Sequence, residues 1–145
     1  MTIQNEQIQV KIIESSLDMQ ASRCIREIVF IQEQEVPADI EYDEFESSAT
    51  HILATMNGGA VGTARWRHTA KGHKLERFAV LRSARGQGVG EALVKFVLDQ
   101  IDLAEPAYLN SQLVALEFYK KLGFVAEGEV FYEANIPHRT MYFSP

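Results

Sequence analysis

The spacing of hydrophobic residues divides this chain into strands and helices. Residues 8–12 alternate between apolar and polar side chains, which predicts a first β-strand. Apolar residues then recur at spacings of three and four over residues 21–31, which predicts a helix behind the capping pair Ser15 and Asp18. Cys24 falls on the apolar face of this helix, so we expect its side chain in the core.

The rest of the chain continues as a series of strands with two further helices. A loop is predicted over residues 33–48, because polar and acidic residues dominate and Pro37 ends the helical pattern. Asn57 and Gly58 predict a tight hairpin turn, because both residue types accept positive φ angles. The remaining predicted strands cover residues 50–56, 60–67, 75–81, 107–110, 124–130 and 138–143, and the helices cover 91–102 and 112–122. This order predicts a mixed α/β sheet with helices on both faces.

Composition narrows the class of protein. A chain of 145 residues, 46% hydrophobic and 23% charged, is expected to form one globular domain over residues 1–145. Its single cysteine excludes an intrachain disulfide, and no apolar run reaches the ~20 residues of a membrane span. Residues 1–6 lack the basic and apolar blocks of a signal peptide, so we expect a reducing, cytoplasmic location and no membrane partner.

Charge is unevenly distributed along the chain. The net charge is −6, and residues 1–64 hold 3 Lys or Arg against 11 Asp or Glu. No Lys or Arg lies within residues 27–64. Two interpretations stay open: a solvated acidic loop, or an acidic wall that attracts a cationic substrate. Both argue against nucleic acid as a partner, since phosphate backbones require a basic patch.

A glycine-rich turn carries the most specific chemical signal. It joins a predicted strand to a predicted helix and has the sequence Arg85-Gly86-Gln87-Gly88-Val89-Gly90. Free backbone N–H groups at such a helix start bind phosphate or pyrophosphate. A P-loop is excluded because no Lys follows Gly90, and a dinucleotide fingerprint is excluded because Glu91 occupies the third glycine position.

Two motifs resemble those of the GNAT superfamily of N-acetyltransferases. The run Glu76-Arg77-Phe78-Ala79-Val80, with the glycine-rich turn after it, resembles the acyl-CoA motif. The run from Ala115 through Phe118-Tyr119 to Gly123-Phe124 resembles the second conserved block. The resemblance implies an acetyl-CoA-dependent N-acetyltransferase that attacks directly within a ternary complex. It also implies a GNAT fold: a mostly antiparallel sheet of roughly six or seven strands, with a splayed parallel pair at its centre.

Two further segments resemble the ElaA-like, also called YjcF-like, branch of the superfamily. The first covers residues 29–37 and is followed by Glu41 and Asp43. The second has the sequence Ile-Pro-His-x-x-Met over residues 136–141. Asn135 stands where the branch usually has glycine, and Asn also tolerates positive φ, so we expect the turn to be retained. The resemblance does not supply an acceptor.

The resemblance places acyl-CoA on the glycine-rich turn and on the strand before it. Backbone N–H groups of the turn would bind the pyrophosphate, with added charge from Arg85 and from Arg82. The strand ending at Val80 is expected to bulge and splay, with pantetheine in the gap and the Val80 N–H on the thioester oxygen. The expected cofactor-binding residues are Ala79, Val80, Arg85, Gly86, Gln87, Gly88, Val89, Gly90, Gln112 and Phe118.

Three residues are candidates for catalysis. By resemblance, Tyr119 protonates the departing thiolate. The base stays open between Glu76 and His138. Glu76 lies four residues before Val80 and is expected on the same side of the strand, whereas imidazole is suited to proton transfer near neutral pH.

The acceptor is expected to be a primary amine, and the acidic stretch favours a small cationic molecule. Glu33, Gln34 and Glu41 are candidates to bind it, and the two glutamates are further candidates for the base. We expect no metal cofactor, because His68 and His73 lie five residues apart across a turn and lack metal-ligand spacing. A homodimer is an expectation from the resemblance alone.

Two rival functions stay open. One is a non-catalytic acyl-CoA-binding module. The other is an enzyme like the acyl-homoserine-lactone synthases, which share this fold; Arg26-x-x-x-Phe30 is similar to their motif, but the tryptophan that follows it is absent.

Overall fold

A computed structural model describes the fold of residues 7–145. Residues 1–6, on which the signal-peptide expectation depends, lie outside this range. The strands are β1 (Ile8–Ile12), β2 (Thr50–Met56), β3 (Gly59–Thr69), β4 (Gly72–Val80), β5 (Ala107–Gln112), β6 (Phe124–Glu133) and β7 (Ile136–Phe143). The α-helices are α1 (Ser16–Arg26), α2 (Ala38–Glu41), α3 (Val89–Gln100) and α4 (Leu116–Lys121). A π-helical turn, Glu27–Glu33, continues α1, and 3₁₀ turns precede α3 and α4.

All seven strands belong to one sheet. Their order is β1-β2-β3-β4-β5-β7-β6, and every neighbouring pair is antiparallel except β4 with β5. The prediction of a mixed, mostly antiparallel sheet with a central parallel pair is confirmed. Within residues 7–145, no helix is long and apolar enough to cross a lipid bilayer.

Helices cover both faces of the sheet, as the sequence predicts. On one face α3 buries Leu93 and Val97 in a core that includes Leu75 of β4. On the other face α1 and the π-helical turn bury Ile25 and Val29 in a cluster with Leu53 and Ala79. Each fully buried apolar side chain of this size contributes about 1.5–3 kcal/mol, so both layers hold the sheet in place.

The buried face of α1 differs from the predicted one. The helix begins as expected, because the Asp18 N–H donates to Ser15 Oγ at 3.1 Å. Its buried residues are Ser22, Ile25 and Arg26, whereas Cys24 is exposed. The expectation of a core Cys24 is therefore wrong. Arg26 lies on the buried face of α1 instead, and a pattern of hydrophobic residues cannot predict a buried arginine.

A β-bulge interrupts β4 in the middle of the sheet. Thr63 and Arg65 lie two residues apart on β3, but their partners Ala79 and Glu76 lie three apart on β4. The extra residue falls in the segment that contains Arg77, whose φ of +60° is unusual for a residue with a side chain. Such a bulge increases the local twist and redirects the strand after it.

Carboxylates of the acidic segment (residues 33–48) enclose the buried arginine of α1. Arg26 Nε lies 2.5 Å from Glu41 Oε2, and its Nη1 lies 2.7 Å from Glu46 Oε2. Glu41 is presented by α2, so the expectation of a loop throughout this segment is wrong for Ala38–Glu41. Pro37 separates α2 from the π-helical turn.

A second buried arginine joins the same segment to the sheet. Arg65 lies 2.8 Å from Asp43, 3.1 Å from Glu46 and 2.9 Å from Glu76, measured between nitrogen and oxygen. Burial alone would raise the pKa of Asp43, but hydrogen bonds and charge from Arg65 lower that pKa to about 2. The buried ion network comprises Arg26, Glu41, Asp43, Glu46, Arg65, Glu76 and Arg77.

This network changes the interpretation of the acidic segment. Glu41, Asp43 and Glu46 each contact at least one arginine from α1 or the sheet. Their charges are therefore matched inside the protein. These three side chains form neither a solvated loop nor an acidic wall free to attract a cation.

Replacing Arg65 with alanine is expected to lower the free energy of unfolding by about 3–5 kcal/mol, because buried carboxylates are left without their partner. Urea unfolding followed by circular dichroism measures the loss. Arg82→Ala is the matched control: that side chain is 80% exposed, and its removal should change stability by less than about 0.5 kcal/mol. Equally small losses in both variants would contradict the structural role of the network.

Candidate functional site

A cleft opens where β4 and β5 diverge. The two strands pair in parallel only at His73 with Ala107 and at Lys74 with Tyr108. Beyond these pairs lies a cavity of about 360 Å³, so the expected splaying of the central pair is observed. The cavity is lined by residues 74–80 and 109–112 of the two strands, by the π-helical turn, and by Arg85, Ala115, Tyr119, Glu133 and His138.

The backbone of Val80 faces this cleft. The Leu81 N–H donates to the Val61 carbonyl at 2.9 Å, which makes Leu81 a hydrogen-bonded partner of β3. Hydrogen-bonded and non-bonded pairs alternate in an antiparallel ladder, so the N–H and C=O of Val80 point away from β3. Arg85 Nε donates to the Val80 carbonyl at 2.9 Å, in agreement with that direction. The Val80 N–H is thus available to a ligand in the gap.

Glu76 does not share a side of the strand with Val80. The bulge reverses the alternation between them: Ala79 packs in the α1 cluster, and Val80 packs in the α3 core. The Glu76 carboxylate lies 2.9 Å from Arg65, 2.7 Å from Arg67 and 3.4 Å from Lys74. Burial would raise its pKa, but these cations, Arg65 first, hold it below the ordinary value. The expectation that Glu76 shares a side of the strand with Val80 is therefore wrong. A carboxylate stabilised in this way is also a poor base.

The glycine-rich turn has the backbone that the sequence predicts. Gly88 has a φ of +93° and directly precedes α3, and no side chain caps the first N–H groups of the helix. At Gly90 a β-carbon would lie 3.1 Å from the Phe118 ring, so the turn packs tightly on α4. The turn therefore presents uncapped N–H groups, and its glycines carry no side chain that would block a ligand from reaching them.

Arg85 lies elsewhere than expected. Its Nη2 is 2.8 Å from Glu33 Oε1, and its Nε holds the Val80 carbonyl. The guanidinium thus connects the π-helical turn to the end of β4 rather than extending over the glycine-rich turn. Arg82 is more exposed and lies 4.0 Å from the same Glu33 oxygen.

Tyr119 contributes a phenol to the cleft wall. Its ring is buried and packs edge-on against Phe78, Phe118 and Phe124, with centroids 5.0–6.1 Å apart. Burial raises the pKa of the Tyr119 phenol, so the hydroxyl stays protonated at neutral pH. The adjacent Phe118 is partly exposed and contacts the glycine-rich turn instead.

His138 presents a ring nitrogen with a defined role. Its Nδ1 lies 2.7 Å from the Ile136 carbonyl, which can only accept, so Nδ1 carries the hydrogen. In the neutral ring Nε2 therefore carries the lone pair, and it lies 3.8 Å from Glu133 Oε1. Phe131 stacks beside the imidazole at a centroid distance of 5.9 Å.

The predicted acceptor-binding residues separate in the structure. Gln34 Oε1 accepts from Gln112 Nε2 at 2.8 Å, a contact between the residue after the π-helical turn and the end of β5. Glu33 also lines the cleft, where it pairs with Arg85. Glu41 also reaches the cleft wall, where its carboxylate is already paired with Arg26 and Arg77.

Sequence reasoning missed two features of the site. Glu133 lies on β6 beside His138 of β7, and strand pairing alone brings them together. Arg77 fixes the bulge through Glu41 and Asp43. The contact between Glu133 and His138 could have been predicted from the pairing of the last two strands. The contacts of Arg77 could not, because hydrophobic periodicity gives no information on buried ion pairs.

Comparison with known proteins agrees with this geometry. Residues 18–144 match the family described as acetyltransferase (GNAT) domain. The chain is 41% identical over 121 residues to a Bacillus subtilis protein named Uncharacterized N-acetyltransferase YjcF, covering 81% of this chain and 86% of the relative. The crystal structure of Escherichia coli ElaA superposes with a TM-score of 0.83 at 26% identity, over 94% of this chain and 99% of that one.

An acyl-CoA N-acyltransferase from Pseudomonas aeruginosa has the same fold. Its TM-score is 0.81 at 27% identity, and the alignment covers 94% of this chain and 98% of that one. Family membership implies acetyl-CoA or another acyl-CoA as co-substrate and leaves the non-catalytic alternative without support. The chain belongs to the GNAT family of N-acetyltransferases and is an acyltransferase.

Proposed function

We propose that this protein transfers the acetyl group of acetyl-CoA to a primary amine by direct attack within a ternary complex. One observation carries the proposal: the Val80 N–H, the Tyr119 side chain and His138 all border the cleft between β4 and β5. A hydrogen-bond donor for the oxyanion, a proton donor and a proton acceptor therefore share one site.

The cofactor lies along the gap in this proposal. N–H groups of Gln87, Gly88, Val89 and Gly90 bind the pyrophosphate at the start of α3. Pantetheine then follows β4 past Ala79, with Gln112 on the facing strand. Arg85 acts indirectly, because it holds the Val80 carbonyl and so fixes the peptide that precedes Leu81.

Chemistry starts with the amine. A neutral amine nitrogen attacks the thioester carbon, and the carbonyl π electrons move to oxygen, where the Val80 N–H stabilises the charge. Nε2 of His138 takes the proton that the nitrogen releases, directly or through water, and Glu133 stabilises the imidazolium. The carbonyl re-forms, the C–S bond breaks, and CoA leaves with both bond electrons.

Tyr119 assists the departing sulfur. Its O–H donates a hydrogen bond to the thiolate as charge develops there. The raised pKa of the phenol makes complete proton transfer uphill, since a free thiol has a pKa of about 8.5. The proton that the thiol finally carries therefore returns from the His138 imidazolium, through Tyr119.

The acceptor is a primary amine in this proposal, and a cationic molecule stays the first class to screen. Glu41, Asp43 and Glu46 are matched by arginines inside the protein, so the acidic segment supports a cationic acceptor less than the sequence did. Among the described residues that line the cleft, Glu133 is the carboxylate with no arginine or lysine contact, whereas Glu33 is shared with Arg85 and Gln34 is a neutral partner. An amine that binds Glu133 would lie near Nε2 of His138, which is 3.8 Å from that carboxylate.

Thiol release from acetyl-CoA tests the proposed transfer with a panel of polyamines, amino sugars and free peptide N-termini. Tyr119→Phe and His138→Gln are each expected to lower kcat about 100-fold while the acetyl-CoA affinity is kept, because each removes a proton-transfer group. Tyr142→Phe is the matched control, since Tyr142 stacks on Tyr108 outside the cleft. Unchanged kcat in either variant would remove that residue from the mechanism, and no release with any amine would contradict the transfer.

Gly88→Val is expected to abolish acetyl-CoA binding, because a branched side chain blocks the backbone approach to pyrophosphate. Gly128→Val is the matched control: Gly128 also has a positive φ (+78°) and open space at its β-carbon position, so it shares the backbone strain without the site. Equilibrium binding of acetyl-CoA measures the difference. Equal affinity in both variants would overturn the pyrophosphate assignment.

A further inference from the structure

A group of metal-ligating side chains lies at the other end of β4, outside the cleft. His68 and His73 face each other across the β3–β4 hairpin, in direct register. Their rings are 5.1 Å apart. Glu105, from the segment that leads into β5, completes the group, and its three ligand atoms all lie within 4.8 Å of one another. The expectation of no metal came from the spacing of these histidines along the chain, whereas the hairpin determines the distance between their side chains.

We propose that His68, His73 and Glu105 form a binding site for a divalent transition-metal cation such as Zn²⁺. His68 Nε2 lies 2.6 Å from Glu105 Oε1, and His73 Nε2 lies 3.7 Å from Glu105 Oε2. Zinc–ligand bonds of about 2.0–2.1 Å in a tetrahedron place ligand atoms about 3.3 Å apart, between these two distances. Two imidazoles and one carboxylate are a zinc ligand set that leaves the fourth position for water.

The His73 nitrogen is the observation that separates this site from a surface ion pair. His73 Nε2 is buried and has no hydrogen-bond partner. A buried nitrogen without a partner is costly, and a cation held jointly with Glu105 would satisfy it. Imidazole ligands favour Zn²⁺, Ni²⁺ or Cu²⁺ over Mg²⁺ and Ca²⁺, which prefer oxygen ligands.

The backbone also holds the ligands in place. The His73 N–H donates to the Pro106 carbonyl at 2.8 Å, which fixes the residue after Glu105 against β4. A β-carbon at Gly72 would lie 2.2 Å from the same carbonyl oxygen, so the two segments are in close contact. Only side chains that are about half exposed, His68 and Glu105, have to move to close the site. A bound cation would fasten the hairpin to the start of β5, where β4 and β5 are still paired.

Calorimetric titration of metal-free, tag-free protein with ZnCl₂ tests the proposal. The wild-type chain should bind one Zn²⁺, while Mg²⁺ should give no binding. His73→Ala and Glu105→Gln should lose Zn²⁺ binding, and Glu127→Gln, an exposed glutamate on β6, should retain it. If His73→Ala does not fold, His68→Gln takes its place, because that side chain is 58% exposed.

A second readout does not depend on enzyme activity. Zn²⁺ should raise the unfolding temperature of the wild-type and Glu127→Gln proteins, because binding to the folded state alone stabilises it. Glu105→Gln should show no such shift. Absence of Zn²⁺ binding by the wild-type chain would overturn the site. Binding retained by both Glu105→Gln and His68→Gln would overturn it equally, because the metal would then lie elsewhere.

Discussion

The extra residue in β4 is the constraint on which the site depends. A regular β4 would continue its parallel pairing with β5 and close the sheet. The bulge at Arg77 turns the end of β4 away, so pairing stops after Lys74 and a cleft remains. The same bulge leaves the Val80 N–H without a partner in β3, at the position where an acyl oxygen requires a donor.

The buried ion network holds that bulge in place. Arg77 has an unfavourable φ and contacts Glu41 and Asp43, which also bind Arg26 and Arg65. A buried ion pair adds little net stability compared with apolar packing, but removing one partner is costly. The network therefore favours one arrangement of the acidic segment over the sheet, because another arrangement would leave these buried charges unpaired. That segment begins at the end of the π-helical turn, and its first two residues, Glu33 and Gln34, form part of the cleft wall.

Much of the fold could be predicted because it follows from local rules. The Ser15 cap, the Asn57-Gly58 turn and the period of the strands depend on neighbouring residues, and the structure reproduces them. Predictions failed where contacts between distant parts of the chain determine which side chains are buried. Cys24 is exposed because Arg26 lies on the buried face of α1. Glu76 lies on the opposite side of β4 from Val80 because the bulge interrupts the two-residue alternation of the strand. Long-range pairing also places His68 opposite His73, a contact that their spacing along the chain does not show.

The candidate site was predictable in part for the same reason. The glycine-rich turn and Tyr119 belong to contiguous motifs, whereas the orientation of Arg85 toward Glu33 depends on residues 52 positions apart. Spacing cannot show such contacts. It also cannot show that His138 carries its hydrogen on Nδ1, which follows from the carbonyl of Ile136.

Amide hydrogen exchange at Val80, followed by NMR, tests the central claim most directly. The claim is that the bulge frees the Val80 N–H for the thioester oxygen of acyl-CoA. Ala79 is the internal reference, since the alternation of the ladder bonds its N–H to Thr63 in either state. Saturating acetyl-CoA should slow exchange at Val80 and leave Ala79 protected throughout. Exchange at Val80 that is unchanged when acetyl-CoA is bound would contradict the account.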